Sequence, residues 1–247
     1  MQGKMERKRF IILTEQRTGS CHLEYLLDSH EMAKVGGELF NPSYERSAKE
    51  VLVQGFAHLR RDDPIRYLET FFSQPFPEPT THIGFRLFYS HGRASRQKLV
   101  WNHLQNMADL RVIHLQRRNL LKNLLSLKLA ESSSVWMRNR GEPALAYEPI
   151  VLDHYECVQH FEARERNIER FEKFFLRNSR IDVFYEDLVS REKQQLDRVL
   201  EFLGLRAQSL TSRIVKQNTQ KLSALILNYS QLKKSFARTM WADFFED

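Results

Sequence analysis

The chain has 247 residues, with 38 Lys and Arg against 31 Asp and Glu for a net charge of +7, and 42% hydrophobic residues. Nine Gly, seven Pro and evenly spread charge exclude collagen-like, low-complexity and wholly disordered chains. Cys21 and Cys157 make neither a disulfide framework nor a metal-ligand spacing, and no apolar run approaches the roughly 20 residues that cross a bilayer.

The basic opening, Met1 to Arg9, is followed by neither a long apolar segment nor a small-residue cleavage site, so the chain reads as cytoplasmic, without integral membrane association. Arg9–Leu13 then reads as a buried strand, and Leu23, Leu26 and Leu27 share one face of a first helix. Four prolines fall between Asp62 and Pro79, and Gln74–Thr80 reads as a surface loop. Thr81–Phe88 and Leu110–Leu115 read as further strands. Leu120, Leu121, Leu124, Leu125, Leu127 and Leu129 line a helix, and the chain breaks again from Arg138 to Pro149. Ile150–Leu176 has the pattern of a long amphipathic helix, and Ile181–Tyr185 that of a last strand. Strands alternating with helices predict an α/β fold, a P-loop-like parallel sheet flanked by helices on both faces, in one domain over 1–247.

The most informative stretch runs from Phe10 to Leu27. A buried strand enters a short loop holding Arg17, Thr18, Gly19 and Ser20 and passes directly into a helix. Such a turn aims backbone N–H groups and the positive end of the helix dipole at one point, where an anion can sit. Gly19 allows close approach of the backbone, Thr18 and Ser20 add hydroxyls, and Arg17 offers a planar fork for phosphate or sulfate oxygens. A plain turn and helix cap is the alternative. The pattern G-x-x-x-x-G-K-[ST] is absent, so the lysine and the magnesium-binding hydroxyl of a nucleoside-triphosphate hydrolase are not in place. A transferring sulfuryl group carries less negative charge than a terminal phosphoryl group, and fixed cations and backbone donors can stabilise its transfer without a metal.

These residues resemble the 5′-phosphosulfate loop of sulfotransferases that use 3′-phosphoadenosine 5′-phosphosulfate (PAPS). Val112–Ser126 resembles the same family's 3′-phosphate site, with Arg118 after a strand and Ser126 eight residues on. Gly36–Asn41, His82–Phe88, Lys216–Gln220 and the closing Ala242–Glu246 are most similar to the bacterial branch containing trehalose sulfotransferase and the rhizobial nodulation sulfotransferase. The resemblance implies PAPS as donor, no metal requirement and a hydroxyl acceptor on a sugar or glycolipid. It implies Glu38 as the general base that takes the acceptor's proton. A carboxylate can do this where partial burial raises its pKa, and a surface loop carboxylate is the other reading.

By the same resemblance Cys21 stands where many relatives have threonine, and Arg86 where related enzymes often have lysine. Arg86 can stabilise charge on the moving group or form a structural ion pair. His91 can face the acceptor or simply hydrogen-bond within its loop. Tyr185, opening Tyr-Glu-Asp-Leu188, is implied near the adenine, with a buried strand-end tyrosine as the alternative. Lys216, Gln217 and Asn218 resemble a loop closing over the nucleotide, or else are solvated. Loops at 31–48, 60–80 and 131–150 are expected to shape the acceptor pocket. Two other functions stay open on residues alone. One is an atypical P-loop-like nucleotide kinase or hydrolase. The other is a basic nucleic-acid-binding protein, against which stand the scatter of the basic residues and the lack of a familiar binding module, so no nucleic-acid partner is expected.

Overall fold

The computed structural model describes residues 7–41, 56, 58–92 and 95–246. Its elements in chain order are β1 (Lys8–Thr14), α1 (Ser20–Asp28), β2 (Ala33–Val35), α2 (Leu59–Asp62), α3 (Pro64–Phe72), β3 (His82–Phe88), α4 (Lys98–Gln105) and β4 (Arg111–Gln116). They continue with α5 (Leu120–Ser133), β5 (Arg138–Asn139), α6 (His154–Phe174), β6 (Ser179–Phe184), α7 (Tyr185–Ser190), α8 (Glu192–Leu203), β7 (Ile214–Val215), α9 (Leu222–Leu225) and α10 (Tyr229–Phe236). The chain divides into two compact units, Met1–Gln116 with Phe171–Ser212, and Arg117–Arg170 with Arg213–Asp247. Helix α6 begins in the second unit, and its last residues, from Phe171, belong to the first.

The first unit holds a five-stranded sheet in the order β2-β3-β1-β4-β6, every pair parallel. Strand alternation decides what each face meets. Phe10, Ile12, Ile113, Leu115 and Val183 pack with Leu23, Leu26 and Leu27 of α1, Leu188 of α7, and Leu196, Val199, Leu200 and Leu203 of α8. On β3, Phe85 meets Phe71 and Phe72 of α3 at ring separations of 6.0 and 6.1 Å. Arg86, one position along, therefore projects to the opposite face, where α1 lies. Phe10 to Leu13 are fully buried, each such side chain contributing roughly 1.5–3 kcal/mol. Strand order reverses between β1 and β4, and parallel sheets bind ligands beyond the carboxyl ends of the strands at such a point.

The second unit is built from α5, most of α6, α9 and α10. Leu121, Leu124, Leu125 and Leu129 pack with Leu152, Cys157, Phe161, Leu225, Phe236 and Phe245. The short strands β5 and β7 pair antiparallel, with Arg138 opposite Val215 and Asn139 opposite Ile214.

One expectation needs correction, and three elements were not read from the sequence. The proline-punctuated segment contains α3, which starts at Pro64 because Asp63 caps it, its side chain accepting from Arg66 N at 3.0 Å. Proline suits that first helical position. The strand read over Ile181–Tyr185 ends at Phe184 as β6, and Tyr185 instead opens α7. Edge strand β2 is too short, at three residues, to show a periodicity. The break from Arg138 onward holds β5, whose two residues gain regularity only from β7 far along the chain. Of the loops expected to shape an acceptor pocket, residues 42–48 lie outside the described residues, as do Pro42, Arg93 and the first six residues of the basic opening.

Candidate active site

The turn from β1 to α1 is tightly folded. Arg17 has φ +63° and Gly19 φ +83°, the left-handed region that costs a non-glycine residue about 1–3 kcal/mol. Gly19 caps α1 without a side chain, so the first-turn N–H groups of the helix have no side-chain cap there. The Tyr185 ring lies directly on Gly19. A Cβ added at Gly19 would sit 2.6 Å from Tyr185 Cδ2. Tyr185, expected near adenine, is thus placed against the loop's glycine.

Thr18 is buried and its hydroxyl is turned inward. It lies 2.7 Å from Thr14 Oγ1 and donates to the Glu15 carbonyl at 2.9 Å. Thr14 Oγ1 in turn donates to the Leu115 carbonyl at 2.7 Å, tying the end of β1 to β4. Of the two loop hydroxyls, Ser20 is therefore the one aimed toward Arg86, whose Nη1 donates to Ser20 Oγ at 3.3 Å and to Cys21 Sγ at 3.1 Å.

Arg86 is the centre of the arrangement. Its Nη1 lies 2.9 Å from Glu38 Oε1, and its Nε pairs with Glu24 Oε2 of α1. Burial alone would lower the affinity of the guanidinium for its proton, but Cys21, Glu24 and Glu38 outweigh burial and raise it, so Arg86 is a permanent cation. The Arg86 amide donates to the Gly37 carbonyl at 2.7 Å, holding the turn that carries Glu38 against β3. The second Glu38 oxygen, Oε2, accepts from Asn41 Nδ2 at 2.5 Å and faces His91 Nε2 at 3.7 Å. His91 Nδ1 accepts from the Phe88 amide at 3.2 Å. That bond assigns the proton of the neutral ring to Nε2, the nitrogen facing Glu38. Burial, then the nearby Arg86, push His91 down to about 3, so the ring is neutral at ordinary pH. Glu38, Arg86, His91, Ser20 and Cys21 thus form one connected group.

Sequence reasoning missed Glu24. It is 1% exposed, one helical turn after Ser20, on the face of α1 that carries Leu23 and Leu27. A glutamate on an apolar helix face and an arginine inside an apolar strand each need an opposite charge when buried, and that pairing was the available signal.

In the second unit, Asn119 caps α5 by accepting from Lys122 N at 2.8 Å. Arg118 is exposed just before the cap, and Ser126 is half-buried one turn beyond Lys122 on the same face. Burial, then Arg117 and Lys122, lower the pKa of Lys216, which places three cations close enough to repel. Arg117 and Lys122 join the named candidates on this ground. The Lys216 carbonyl accepts from Arg138 at 2.8 Å, Gln217 donates to the Val135 carbonyl at 3.2 Å, and Asn218 caps its own turn by accepting from Gln220 N at 2.8 Å.

Among the described residues one group of side chains could share a metal ion, His114, Glu172 and Asp182. Arg180 Nε already lies 3.2 Å from Asp182 Oδ1, and His114 Nδ1 lies 3.3 Å from the same oxygen. The carboxylate has a cation and a ring nitrogen on it. Among the described residues no helix is long and apolar enough to cross a membrane.

Compared with known proteins, the chain is 30% identical over 244 residues to nodulation protein H of Rhizobium tropici, covering 96% of this chain and 92% of that protein. It is 28% identical over 249 residues to nodulation protein H of Rhizobium meliloti (strain 1021), covering 96% and 94%. No family model matches. Among solved structures, a sulfotransferase from Alicyclobacillus acidocaldarius shares the fold with a TM-score of 0.54 at 13% identity, over 94% of this chain and 92% of that one.

Proposed function

Because the chain belongs to the sulfotransferase family of nodulation protein H, we propose that it moves the sulfuryl group of PAPS to a hydroxyl of a carbohydrate or glycolipid, with all 247 residues acting as one sulfotransferase domain. The observation that carries this reading is the reach of one guanidinium. Arg86 Nη1 lies within hydrogen-bonding distance of the proposed base, Glu38, and of Ser20 in the anion loop.

In this reading the loop Arg17–Ser20, with Cys21, takes the phosphosulfate through backbone N–H groups, the Ser20 hydroxyl and the Arg17 fork. Arg118 and Ser126 take the 3′-phosphate, Tyr185 contacts the nucleotide, and Lys216, Gln217 and Asn218 contribute further donors. The acceptor oxygen attacks sulfur in line, and Glu38 takes its proton. The bond between sulfur and the bridging phosphate oxygen breaks, and adenosine 3′,5′-bisphosphate leaves with both electrons of that bond. Arg86 faces the charge that gathers on the sulfuryl oxygens and the leaving phosphate. His91, neutral, turns Nε2 toward Glu38 at 3.7 Å and lines that carboxylate rather than exchanging its own proton. Fixed cations and N–H donors supply the stabilisation, so the chemistry calls for no metal.

The reading is tested by thermal unfolding with adenosine 3′,5′-bisphosphate and with ADP, each with magnesium or with a chelator. Ligand at roughly 100 times its dissociation constant adds about 2.7 kcal/mol to stability. A chelator-insensitive rise in Tm with the bisphosphate alone is expected, and it should vanish in Arg118→Ala. A rise confined to ADP with magnesium would instead favour a kinase-like activity.

A further inference from the structure

Arg86 is held between two carboxylates of different standing. Glu38 is half-buried, with 14% of its side chain exposed and its Oε2 turned toward Asn41 and His91. Glu24 is sealed, with 2% of its side chain exposed, and takes Arg86 through Nε. The two contacts occupy different nitrogens. Nε is engaged on α1, behind the site, while Nη1 is shared among Glu38, Ser20 and Cys21. An arginine with a single carboxylate partner would turn its fork onto that partner in the bidentate geometry it prefers. Two partners on separate nitrogens prevent this.

We propose that Glu24 is a positioning residue for sulfuryl transfer: by fixing Nε of Arg86 it keeps Nη1 directed between the anion loop and Glu38, and it leaves Glu38 Oε2 available as the base. The inference rests on the reading of Glu38 and the loop given above. Its physical content is a division of charge. With Glu24 ionised, the cation of Arg86 is compensated without Glu38, so Glu38 can take up a proton during turnover while the buried guanidinium keeps a counter-charge. With Glu24 neutralised, Glu38 becomes the only carboxylate on Arg86. The titratable groups that face Arg86 are Cys21 and Glu24 from α1 and Glu38 from the turn after β2, and its cation in turn lowers the pKa of His91 in the turn after β3. Of these, Glu24 is the carboxylate that takes Nε, and its side chain is 2% exposed.

Glu24→Gln keeps the shape and removes the charge. The account predicts that kcat falls about 10- to 100-fold, the scale of a misplaced catalytic group, while the dissociation constant for adenosine 3′,5′-bisphosphate, which lacks the sulfuryl group, changes less than about twofold. A merely structural role would not move kcat apart from KM. The decisive comparison is a double-mutant cycle. In an Arg86→Gln background, which removes the cation, adding Glu24→Gln should not lower kcat further. If Glu24→Gln alone does not fold, this paired variant, lacking both charges, still gives the answer against Arg86→Gln. Wild-type kcat in Glu24→Gln, or a further loss of kcat in the paired variant, would overturn the proposal. Loss of bisphosphate binding in the otherwise unsubstituted chain would instead overturn the functional reading on which it rests.

Discussion

The two units handle charge in opposite ways. In the first, the cation Arg86 is deeply set and matched by two carboxylates, each on its own nitrogen. In the second, burial, then the nearby cations Arg117 and Lys122, lower the pKa of Lys216, and Arg118 is exposed. The first arrangement is complete without a ligand and fixes its groups in place, as a reacting centre requires. The second is strained by like charge, a strain that an anion would relieve. Under the proposed function the first unit carries the chemistry and the second binds an anion, and the contrast can be broken at several points.

The largest effect should follow from removing the matched cation. Arg86→Met removes the cation that Glu24 and Glu38 share, and stability should fall by about 3–5 kcal/mol, as for other broken buried pairs; chemical denaturation measures it. If the loss is under about 1 kcal/mol, the pair is not the fixed centre described here. Next in size is Gly19→Ala. It combines a left-handed φ with a Cβ 2.6 Å from Tyr185 Cδ2, and should cost about 1–3 kcal/mol. Adding Tyr185→Ala should recover part of that loss by relieving the clash. No recovery would mean the backbone angle alone carries the cost.

Acid should expose the buried histidines. Burial lowers His82 to about 4 and His91 to about 3 in the first unit, and His160 to about 4 in the second. The unfolded chain takes up these protons near pH 6.5, and the folded chain does not until pH falls to about 3 or 4. Stability is therefore full above pH 6.5 and drops as pH falls through this window, by up to about 1.4 kcal/mol per pH unit for each histidine. His91→Gln should flatten the slope of unfolding free energy against pH, and an unchanged slope would contradict the burial described for that ring.

The smallest effect belongs to the second unit. Lys216→Met should weaken adenosine 3′,5′-bisphosphate binding by about 5- to 30-fold, on the scale of one lost charge-assisted hydrogen bond, with little change in the stability of the free protein. Because burial, then like charge, lower its pKa, the wild-type affinity should begin to fall at a lower pH than an ordinary lysine would give, and Lys216→Met should remove that limb in calorimetric titration.

Much of this was legible in the sequence because periodicity is a local property. The apolar runs at Phe10–Leu13, 82–88 and 111–115 mark central strands, and the Thr-Gly-Ser turn marks the passage from β1 into α1. What escaped depends on contacts between distant residues. The strand β5 exists only because Ile214 and Val215 pair with it. The inward turn of the Thr18 hydroxyl depends on Thr14 and the Glu15 carbonyl. Tyr185 against Gly19 joins positions far apart in the chain. Glu24 was readable in principle, as an acid on a buried helix face, but its partner could be named only once strand alternation had turned Arg86 to that same side.

The central claim is that the matched charges of the first unit perform the transfer rather than hold the donor. It is tested most directly by Glu38→Gln, assayed for sulfuryl transfer from PAPS and, separately, for binding of adenosine 3′,5′-bisphosphate by calorimetry. The account predicts a fall in kcat of about 100-fold or more, the scale of lost general base catalysis, with the bisphosphate bound as tightly as in the wild type. Turnover retained at the wild-type rate, with binding intact, would contradict it.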